Sequence, residues 1–385
     1  MTFSDQLLNR ATAGLVAVII GFSSSIALIY QVVITLGGTP DLVASWLLML
    51  GLVMGITTIG LSYYYKVPVL IAWSTTGAAL LISSAQGYHL GEAIGAFMFA
   101  AILVFVSGVT GWFEKIMNRI PSELACAMLA GVLVIFGIDV FNFMNELPLV
   151  IGLMVLMYFL GKRFFARFAM LSVLVAGVLL AWQMGHIDTG AIHWKISEFA
   201  YIAPVFNLQA CISIGLPLYI VTMTSQNLPG IAVLKAHNYK APISATLNVT
   251  GFINILTAPF GTYSINLAAI TAAICMSDEA DKSPDKRYWA SIAAGVFYIV
   301  MALCAATLVG LVASLPQALI LALAGIALFG TIANSLQQAL SSAQYTEAAI
   351  VTFLVTASDL TMLSVGSAFW GIIAGVCTLM ITRKS

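Results

Sequence analysis

Long apolar segments separated by short polar ones run along almost the whole chain. They predict fourteen membrane spans, at 12–36, 41–63, 67–84, 90–113, 122–141, 146–161, 166–184, 206–234, 242–256, 259–277, 287–312, 316–338, 345–357 and 364–382. A polar interruption at 185–204 separates the seventh span from the eighth. The spans at 67–84, 146–161, 259–277 and 345–357 are short for a hydrocarbon core about 30 Å thick, so each is either strongly supported by its neighbours or not a simple helix.

The eighth span contains a polar stretch within its apolar run. Ser225, Gln226 and Asn227 are adjacent in "TMTSQNLPGIAVLKA" (222–236). Three consecutive helical positions point in three directions, which is more than one packing interface needs. We therefore expect these side chains to line a polar cavity, beside bends at Pro217 and Pro229. The alternative is that the amides only bond neighbouring helices, at about 0.6 kcal/mol each.

Matched landmarks indicate that the second half of the chain repeats the first. Three pairs stand about 190 to 195 residues apart: Pro121 with Pro316, Tyr30-Gln31 with Ser225-Gln226, and Pro68 with Pro259. Seven spans are an odd number, so the second copy crosses the membrane in the opposite sense, as in the inverted repeats of secondary transporters. The first span then mirrors the eighth, and Ser23, Ser24 and Ser25 in "GFSSSIALIYQ" are expected at the same cavity, with Ser24 chosen for the site. Chance alignment in an apolar chain is the alternative.

The third and tenth spans share one design. Each begins with a proline and residues suited to extended structure, "PVLIAW" and "PFGTY", continues with a serine, and ends in an alanine-rich stretch. Ser74 and Ser264 are predicted N-caps, so each span is part extended strand and part half-helix. Two half-helix N-termini that meet near the bilayer centre would attract a small anion. The alternative is a pair of re-entrant segments that hold no ligand.

Aromatic residues immediately precede both predicted caps. Trp73 and Tyr263 lie at a depth where an interfacial anchor is not expected. A flat apolar ring could stack on them while its polar edge meets the helix ends. Core packing is the alternative for either residue alone.

Composition confines the chain to the membrane class. Hydrophobic residues make up 61% of the sequence and charged residues 8%, against about 25% charged in a soluble domain. The 31 glycines, with many alanines, serines and threonines, favour closely packed helices over a barrel. The zero net charge provides no basic face for nucleic acid.

The distribution of positive charge orients the spans. With both termini cytoplasmic, fourteen of the fifteen Lys and Arg residues fall inside and only Lys195 falls outside. No cleavable signal peptide is expected, because the polar segment at 1–10 runs directly into a span long enough to be a permanent anchor.

Other chemistry finds little support. The five cysteines lie in apolar runs without metal-ligand spacing, which indicates packing rather than a disulfide or zinc site. No Asp or Glu occurs in the interior of spans one, three, eight or ten, and the four histidines fall in predicted loops. Hydrolase and nucleotide-binding motifs are absent, so we expect neither an enzyme, nor a cofactor, nor a metal.

Four segments carry a family resemblance that covers nearly the whole chain. "SQNLPGIAVLKA", "VPVLIAWSTTGAALL", "PFGTYSINLAAITAAIC" and "VTASDLTMLSVGSAFWGIIAG" resemble the bacterial BenE family of benzoate:proton symporters. The resemblance implies an all-α polytopic fold of seven plus seven spans, shared with uracil-type nucleobase symporters and sulfate/anion carriers. It implies a core domain at 1–113 and 206–312, a gate domain at 114–185 and 313–385, and an extracytoplasmic connector at 186–205.

The resemblance also implies the substrate site. It assigns substrate binding to residues on spans three, eight and ten: Trp73, Ser74, Thr75, Ser225, Gln226, Asn227, Tyr263, Ser264 and Asn266. Nucleobase symporters carry glutamates on spans eight and ten, and their absence here suits an anion but leaves the proton pathway unassigned.

The expected function is import of a benzoate-like carboxylate across the bacterial inner membrane, with a proton, by alternating access. A nucleobase or other small-ring carrier of the same fold and an anion channel are the alternatives. A homodimer is possible by analogy with the fold.

Overall fold

The computed structural model describes residues 3–111, 121–164, 169–187, 197–240, 242–268, 270–278, 280–358, 360, 362 and 367–382. Helices dominate this part of the chain. In the first half they are α1 Phe3–Thr35, α2 Pro40–Tyr65, α3 Thr75–Ser84, α4 Leu90–Thr110, α5 Ser122–Asn142, α6 Pro148–Phe164 and α7 Ala169–Gln183.

The second half begins with a composite helix, α8. It joins the α-helical pieces Leu208–Ala210, Leu216–Thr222 and Leu228–Ala236 through π-helical turns at Cys211–Gly215 and Met223–Asn227. The later helices are α9 Ile243–Thr257, α10 Ile270–Cys275, α11 Tyr288–Leu303, α12 Ala305–Ala313, α13 Gln317–Ala339, α14 Thr346–Ala357 and α15 Ser367–Thr382. Short 3-10 turns occur at Phe143–Asn145, Ala258–Phe260, Pro284–Lys286 and Ala343–Tyr345.

The helices confirm a polytopic membrane protein. Among the described residues, seven helices are long and apolar enough to cross a bilayer, and an eighth span arises if the pair Pro284–Leu303 and Ala305–Val312, bent by 65°, is one segment. Three further apolar helices are shorter, at Thr75–Ser84, Ala169–Gln183 and Ser367–Thr382. The total of fourteen spans stays a prediction.

Two short strands confirm the mixed design of spans three and ten. Strand β1, Ile71–Trp73, leads into α3, and strand β2, Ile265–Leu267, precedes α10. The strands pair antiparallel, with Ala72 opposite Asn266 at the centre. Extended backbone buried among helices is tolerated here because each strand supplies the hydrogen-bonding groups of the other.

Helix contacts follow the symmetry of an inverted repeat. Helix α2 packs on α11 and α4 packs on α9, so the second and eleventh predicted spans pair as the ninth and fourth do. Likewise α6 packs on α7 as α14 packs on α15, while α5 meets its own counterpart α13 and β1 meets β2. These matched contacts confirm the two-fold relation between the halves that the landmarks predicted.

Small residues allow the crossing of α2 and α11. A Cβ atom on Gly55 would lie 2.6 Å from the carbonyl oxygen of Gly295, and one on Gly295 would lie 2.9 Å from the carbonyl oxygen of Gly55. Each distance is shorter than a van der Waals contact. The backbones therefore touch directly, as expected of helices that associate in lipid.

A buried ion-pair network joins the start of α1 to the loop between α10 and α11. Arg10 contacts the Asp281 carboxylate at 2.6 Å, and Arg287 donates to the carbonyl oxygens of Asp281 and Met276, each at 2.7 Å. Arg287 also pairs with Asp278. Burial alone raises the pKa of Asp281, but bonds from the Ser283 amide and Arg10, with the charge of Arg10, outweigh it and lower that pKa.

Candidate functional site

The two strands pair side by side just before α3 begins. Beyond the register pair, the Ser74 amide donates to the carbonyl oxygen of Ser264 at 3.1 Å, and the Ala268 amide donates to that of Leu70 at 2.9 Å. All residues from Gly261 to Ala268 are buried. The strand pair thus forms a buried base for the first turn of α3.

Ser74 caps α3, as predicted. Its hydroxyl oxygen accepts from the Gly77 amide at 2.9 Å, and its backbone is extended. The Tyr263 hydroxyl donates to the carbonyl oxygen of Ser74 at 3.0 Å, which ties the approach to β2 to this cap. The amide groups of Thr75 and Thr76 belong to the same first turn, where amides have no acceptor within the helix and the helix dipole favours negative charge.

The prediction that Ser264 caps the tenth span is wrong. Strand β2 follows Ser264, and α10 begins only at Ile270. The Ala258–Phe260 turn and Gly261, with φ of 98°, lengthen the approach, so the extended part starts later than "PFGTY" suggests. Strands β1 and β2 start at 71 and 265, the spacing of Pro121 and Pro316 to within one residue, so the counterpart of Trp73 is Leu267 rather than Tyr263.

The polar stretch of α8 lies on its second π turn. The Leu228 amide bonds the carbonyl oxygen of Met223, five residues back, immediately before Pro229. Pro229 has no amide hydrogen to offer the carbonyl four residues earlier, that of Ser225. The π turn at Cys211–Gly215 stands in the same relation to Pro217. Each proline thus accompanies a local widening of the helix, a feature frequent at functional sites.

The second π turn contacts both half-spans. Gln226 Nε2 donates to Thr76 Oγ1 on α3 at 3.2 Å. On the other side, the Leu267 amide of β2 donates to Asn227 Oδ1 at 3.1 Å. One residue before the turn, the Thr222 hydroxyl lies 3.0 Å from that of Ser264.

Trp73 is held by α1. Its indole Nε1 donates to Ser25 Oγ at 2.6 Å, and its ring meets the ring of Phe22 edge-on, with centroids 4.7 Å apart. Ser25 in turn donates to the carbonyl oxygen of Gly21 at 2.7 Å. Of the three serines expected at the cavity, Ser25 thus holds Trp73, and the side chains of Ser23 and Ser24 lie outside the described residues.

Burial separates the predicted site residues into two groups. Ser74, Asn227 and Asn266 have no exposed surface, and Trp73, Tyr263 and Ser264 are buried as well. Thr75, Ser225 and Gln226 are only partly buried. The second group forms the accessible surface of the site, and the first supports it.

Two helices of the predicted gate segments pack near the polar cluster. Helix α5 contacts both α3 and the π turn Met223–Asn227, and α13 contacts α5 and α1. The polar cluster therefore lies where the predicted core segments and the predicted gate segments meet.

The two strands and the two short helices that follow them carry no formal charge. The sequences of β1, α3, β2 and α10 contain no Asp, Glu, Lys, Arg or His. The field at the site then comes from the amide groups of the α3 first turn together with neutral hydroxyl and amide side chains. Such a field favours an anion without committing a charged residue to it.

A cavity of about 430 Å³ lies away from the strand pair. It is lined by the turn between α1 and α2 and by residues that precede α8, including Thr39, Asp41 and Glu198. It contains none of the predicted site residues. The candidate site is therefore placed at the strand pair and the second π turn of α8, because of the chemistry of their residues, and not at this cavity.

Several structural residues of the site were missed from sequence. Asn254 accepts a hydrogen bond from the backbone of β2, and Thr58 accepts one from the backbone of β1. The Thr76 hydroxyl accepts a hydrogen bond from Gln226. The available signal was a polar side chain within an otherwise apolar span, which alone does not distinguish a strand partner from a helix contact.

Comparisons with known proteins find relatives along nearly the whole chain. Residues 4–381 match the family model described as "Benzoate membrane transport protein" (BenE). The inner membrane protein YdcO of Escherichia coli is 44% identical over 370 residues, 96% of this chain and 95% of that protein. The benzoate membrane transport protein of Acinetobacter baylyi is 35% identical over 380 residues, 99% of this chain and 96% of that protein.

A solved structure shares the fold. The transmembrane domain of a cyanobacterium bicarbonate transporter, BicA, superposes with a TM-score of 0.66 at 15% identity, covering 98% of each chain. At this identity the likeness concerns the fold alone.

Proposed function

Since the chain belongs to the BenE family of benzoate membrane transport proteins, we propose that it imports a small aromatic carboxylate such as benzoate as a secondary active transporter. Membership in this family confirms the expectation of a membrane transporter rather than an enzyme. The name of the E. coli relative supports a place in the bacterial inner membrane. The positive-inside pattern supports two cytoplasmic termini.

One observation supports an anionic substrate most directly. The first turn of α3 and the π turn of α8 present Thr75, Ser225 and Gln226 together at the core–gate boundary, with no acidic residue in β1, α3, β2 or α10. A carboxylate there accepts hydrogen bonds from the hydroxyl, amide and backbone donors, and charge-assisted bonds of this kind are stronger than neutral ones. Repulsion from a fixed carboxylate is avoided.

The buried residues orient this surface. Trp73, held by Ser25, provides an apolar ring behind this surface, on the side where the aromatic ring of the substrate is proposed to lie. Ser74, Asn227, Tyr263, Ser264 and Asn266 fix the strands and the cap from behind the site, and Ser24 stays a candidate from α1. The substrate thus touches few side chains, while many hold these in place.

The position of the site supports alternating access as the proposed mechanism. A core of residues 1–113 and 206–312 moves against a gate of 114–185 and 313–385, with 186–205 as connector. Closure of α5 and α13 over the bound carboxylate then exposes it to the opposite side. The proposed coupling ion is a proton, with its carrier unassigned to any side chain, and a homodimer is compatible with the fold.

Uptake of labelled benzoate into proteoliposomes tests the proposal. An inward proton gradient is expected to drive accumulation above the external concentration, and abolishing the gradient is expected to leave only equilibration. Protein-free liposomes control for diffusion of the undissociated acid. Current without accumulation would indicate a channel, and uptake of uracil in preference to benzoate would indicate a nucleobase carrier.

A further inference from the structure

Among the described residues, β1 and β2 form a two-stranded sheet with no third strand on either side. In an antiparallel pair, alternate residues direct their amide and carbonyl groups to opposite sides. Ser264, Asn266 and Ala268 face β1, as the bonds from Ser74 to Ser264 and from Ala268 to Leu70 demonstrate. The groups of Ile265 and Leu267 therefore point away from β1, toward α9 and α8.

Two asparagine side chains take the place of a third strand. Asn254 on α9 accepts from the Ile265 amide at 3.2 Å and donates to the Ile265 carbonyl oxygen at 3.3 Å. Asn227 accepts from the Leu267 amide at 3.1 Å. A primary amide reproduces the donor and acceptor of a peptide group, so Asn254 pairs with Ile265 as a strand residue would.

The outer edge of β1 is completed by hydroxyl groups instead. Thr58 on α2 accepts from the Ile71 amide at 3.0 Å, and Ser62 donates to the carbonyl oxygen of Val69 at 2.7 Å. Helix α2 is the counterpart of α9 in the repeat, so both copies use the same device with different side chains.

Asn227 connects β2 to α8 as well. It lies on the π turn that also carries Ser225 and Gln226, and Gly230, one turn later, lets α8 approach β2. A Cβ atom on Gly230 would lie 2.6 Å from Cβ of Leu267. The position of β2 and the position of the accessible polar surface are therefore set by the same contact.

We propose that Asn254 and Asn227 are positioning residues of the transport site, which clamp β2 by its outer backbone groups and so hold the π turn of α8 in its binding geometry. Neither side chain needs to touch the substrate, because both are buried and both are bonded to protein groups. The functional part of the inference rests on the proposed benzoate site, and the clamp itself does not.

Comparing the variants Asn254→Val and Asn254→Thr separates the effect of the hydrogen bond to β2 from the effect of side-chain packing. The two side chains have nearly the same shape, but only threonine can accept from the Ile265 amide, as Thr58 does from Ile71. In full-length protein in nanodiscs, hydrogen–deuterium exchange of peptides covering 262–268 is expected to quicken roughly fivefold in Asn254→Val and to return toward wild type in Asn254→Thr. Asn227→Leu is expected to quicken exchange in the same peptides.

Benzoate titration of the same preparations tests the positioning role. Asn254→Val and Asn227→Leu are expected to raise the dissociation constant for benzoate roughly tenfold in the folded protein, with Asn254→Thr between them and wild type. Thr257→Ala is the matched control, because the Thr257 hydroxyl donates to the carbonyl oxygen of Ile253 in its own helix and the change leaves the backbone carbonyl of Thr257 in place.

Two results would overturn the proposal: equal exchange of 262–268 in the valine and threonine variants, or quickened exchange with unchanged benzoate affinity. The second result would leave Asn254 with a structural role only. If wild type binds no benzoate, the proposed function fails, and the exchange comparison still decides whether the asparagine clamp exists.

Discussion

Single polar residues inside apolar spans carry most of the information in this protein. Ser74 was recognised as a cap because a serine before an alanine-rich stretch has a local signature. Asn254 and Thr58 had none, since their partners are backbone groups of strands that come together only in the folded protein. Ser264 was misassigned because Gly261 changes the path of the chain before β2. Sequence thus locates the polar groups better than it pairs them.

Adjacent threonines on α2 provide a test of one such pairing. Thr58 bonds the Ile71 amide, whereas the buried hydroxyl of Thr57 has no partner among the described residues. Thr58→Val is expected to lower the free energy of unfolding by about 1 kcal/mol, because a buried amide loses its acceptor. Thr57→Val is expected to be neutral or stabilising. Denaturation of both variants in the same detergent measures the difference, and equal losses would contradict the assignment.

Gln226 tests the accessible surface of the site. Gln226→Leu keeps the approximate size of the side chain but removes its polar group, so the dissociation constant for benzoate is expected to rise roughly tenfold or more. Gln209→Leu is the control, because Gln209 is exposed near the start of the same helix. Calorimetric titration checks both variants. Wild-type affinity in Gln226→Leu would exclude Gln226 from the binding surface.

Elements were predicted best where the pattern is local. The strand-plus-helix design of the third and tenth spans followed from proline, extended residues and alanine-rich sequence in order, and the structure confirms it. The π turns of α8 were not predicted, because one extra residue in a turn leaves little trace in hydrophobic periodicity. Only the prolines that follow each π turn marked these places, and they were interpreted as bends.

The π turn around Ser225 is expected to depend on Pro229. Pro229→Ala supplies an amide that can bond the Ser225 carbonyl, which favours an ordinary α-helical turn and rotates Gln226 away from Thr76. Benzoate affinity is expected to fall roughly tenfold while thermal stability is kept or raised.

Pro217→Ala makes the same change after the other π turn, away from Ser225 and Gln226, and serves as the control. Ligand titration together with thermal unfolding distinguishes the outcomes. Equal affinity in the two proline variants would show that the shape of the second π turn does not matter for binding.

The whole molecule is governed by its inverted repeat. Matched prolines and the odd number of predicted spans per half indicated the repeat, and the exchanged contacts of α2 with α11 and α4 with α9 confirm it. The sequence offset between landmarks was not constant, so Tyr263 was paired with Trp73 although Leu267 is the true counterpart. Local insertions such as the Gly261 turn shift one arm without disturbing the symmetry, and only the strand register resolves them.

The buried pair of Arg10 and Asp281 makes a prediction about the core as a unit. Folding lowers the pKa of Asp281, so the charged form is held more strongly in the folded protein. Its stabilising contribution is therefore complete above about pH 4 and is lost as the pH falls through the lower folded-state pKa. Asp281→Asn leaves Arg10 buried without its partner and is expected to cost about 3 kcal/mol at neutral pH.

Thermal unfolding as a function of pH measures this effect. The midpoints of wild type and Asp281→Asn are expected to differ at neutral pH and to draw together as the pH falls below about 4. Asp285→Asn, an exposed carboxylate in the same loop, is the control and should follow wild type throughout. A difference between Asp281→Asn and wild type that stays constant with pH would contradict the role of this charge.

Ligand protection of an introduced thiol tests the central claim most directly, namely that an aromatic carboxylate binds where the α3 first turn meets the α8 π turn. In a background without native cysteines, Ser225→Cys is labelled with a maleimide, and Glu198→Cys serves as an exposed control. At a benzoate concentration about ten times the dissociation constant, labelling of Ser225→Cys is expected to slow roughly tenfold, with no change at position 198 and none with uracil. Bound benzoate that leaves the labelling rate at position 225 unchanged would contradict the account.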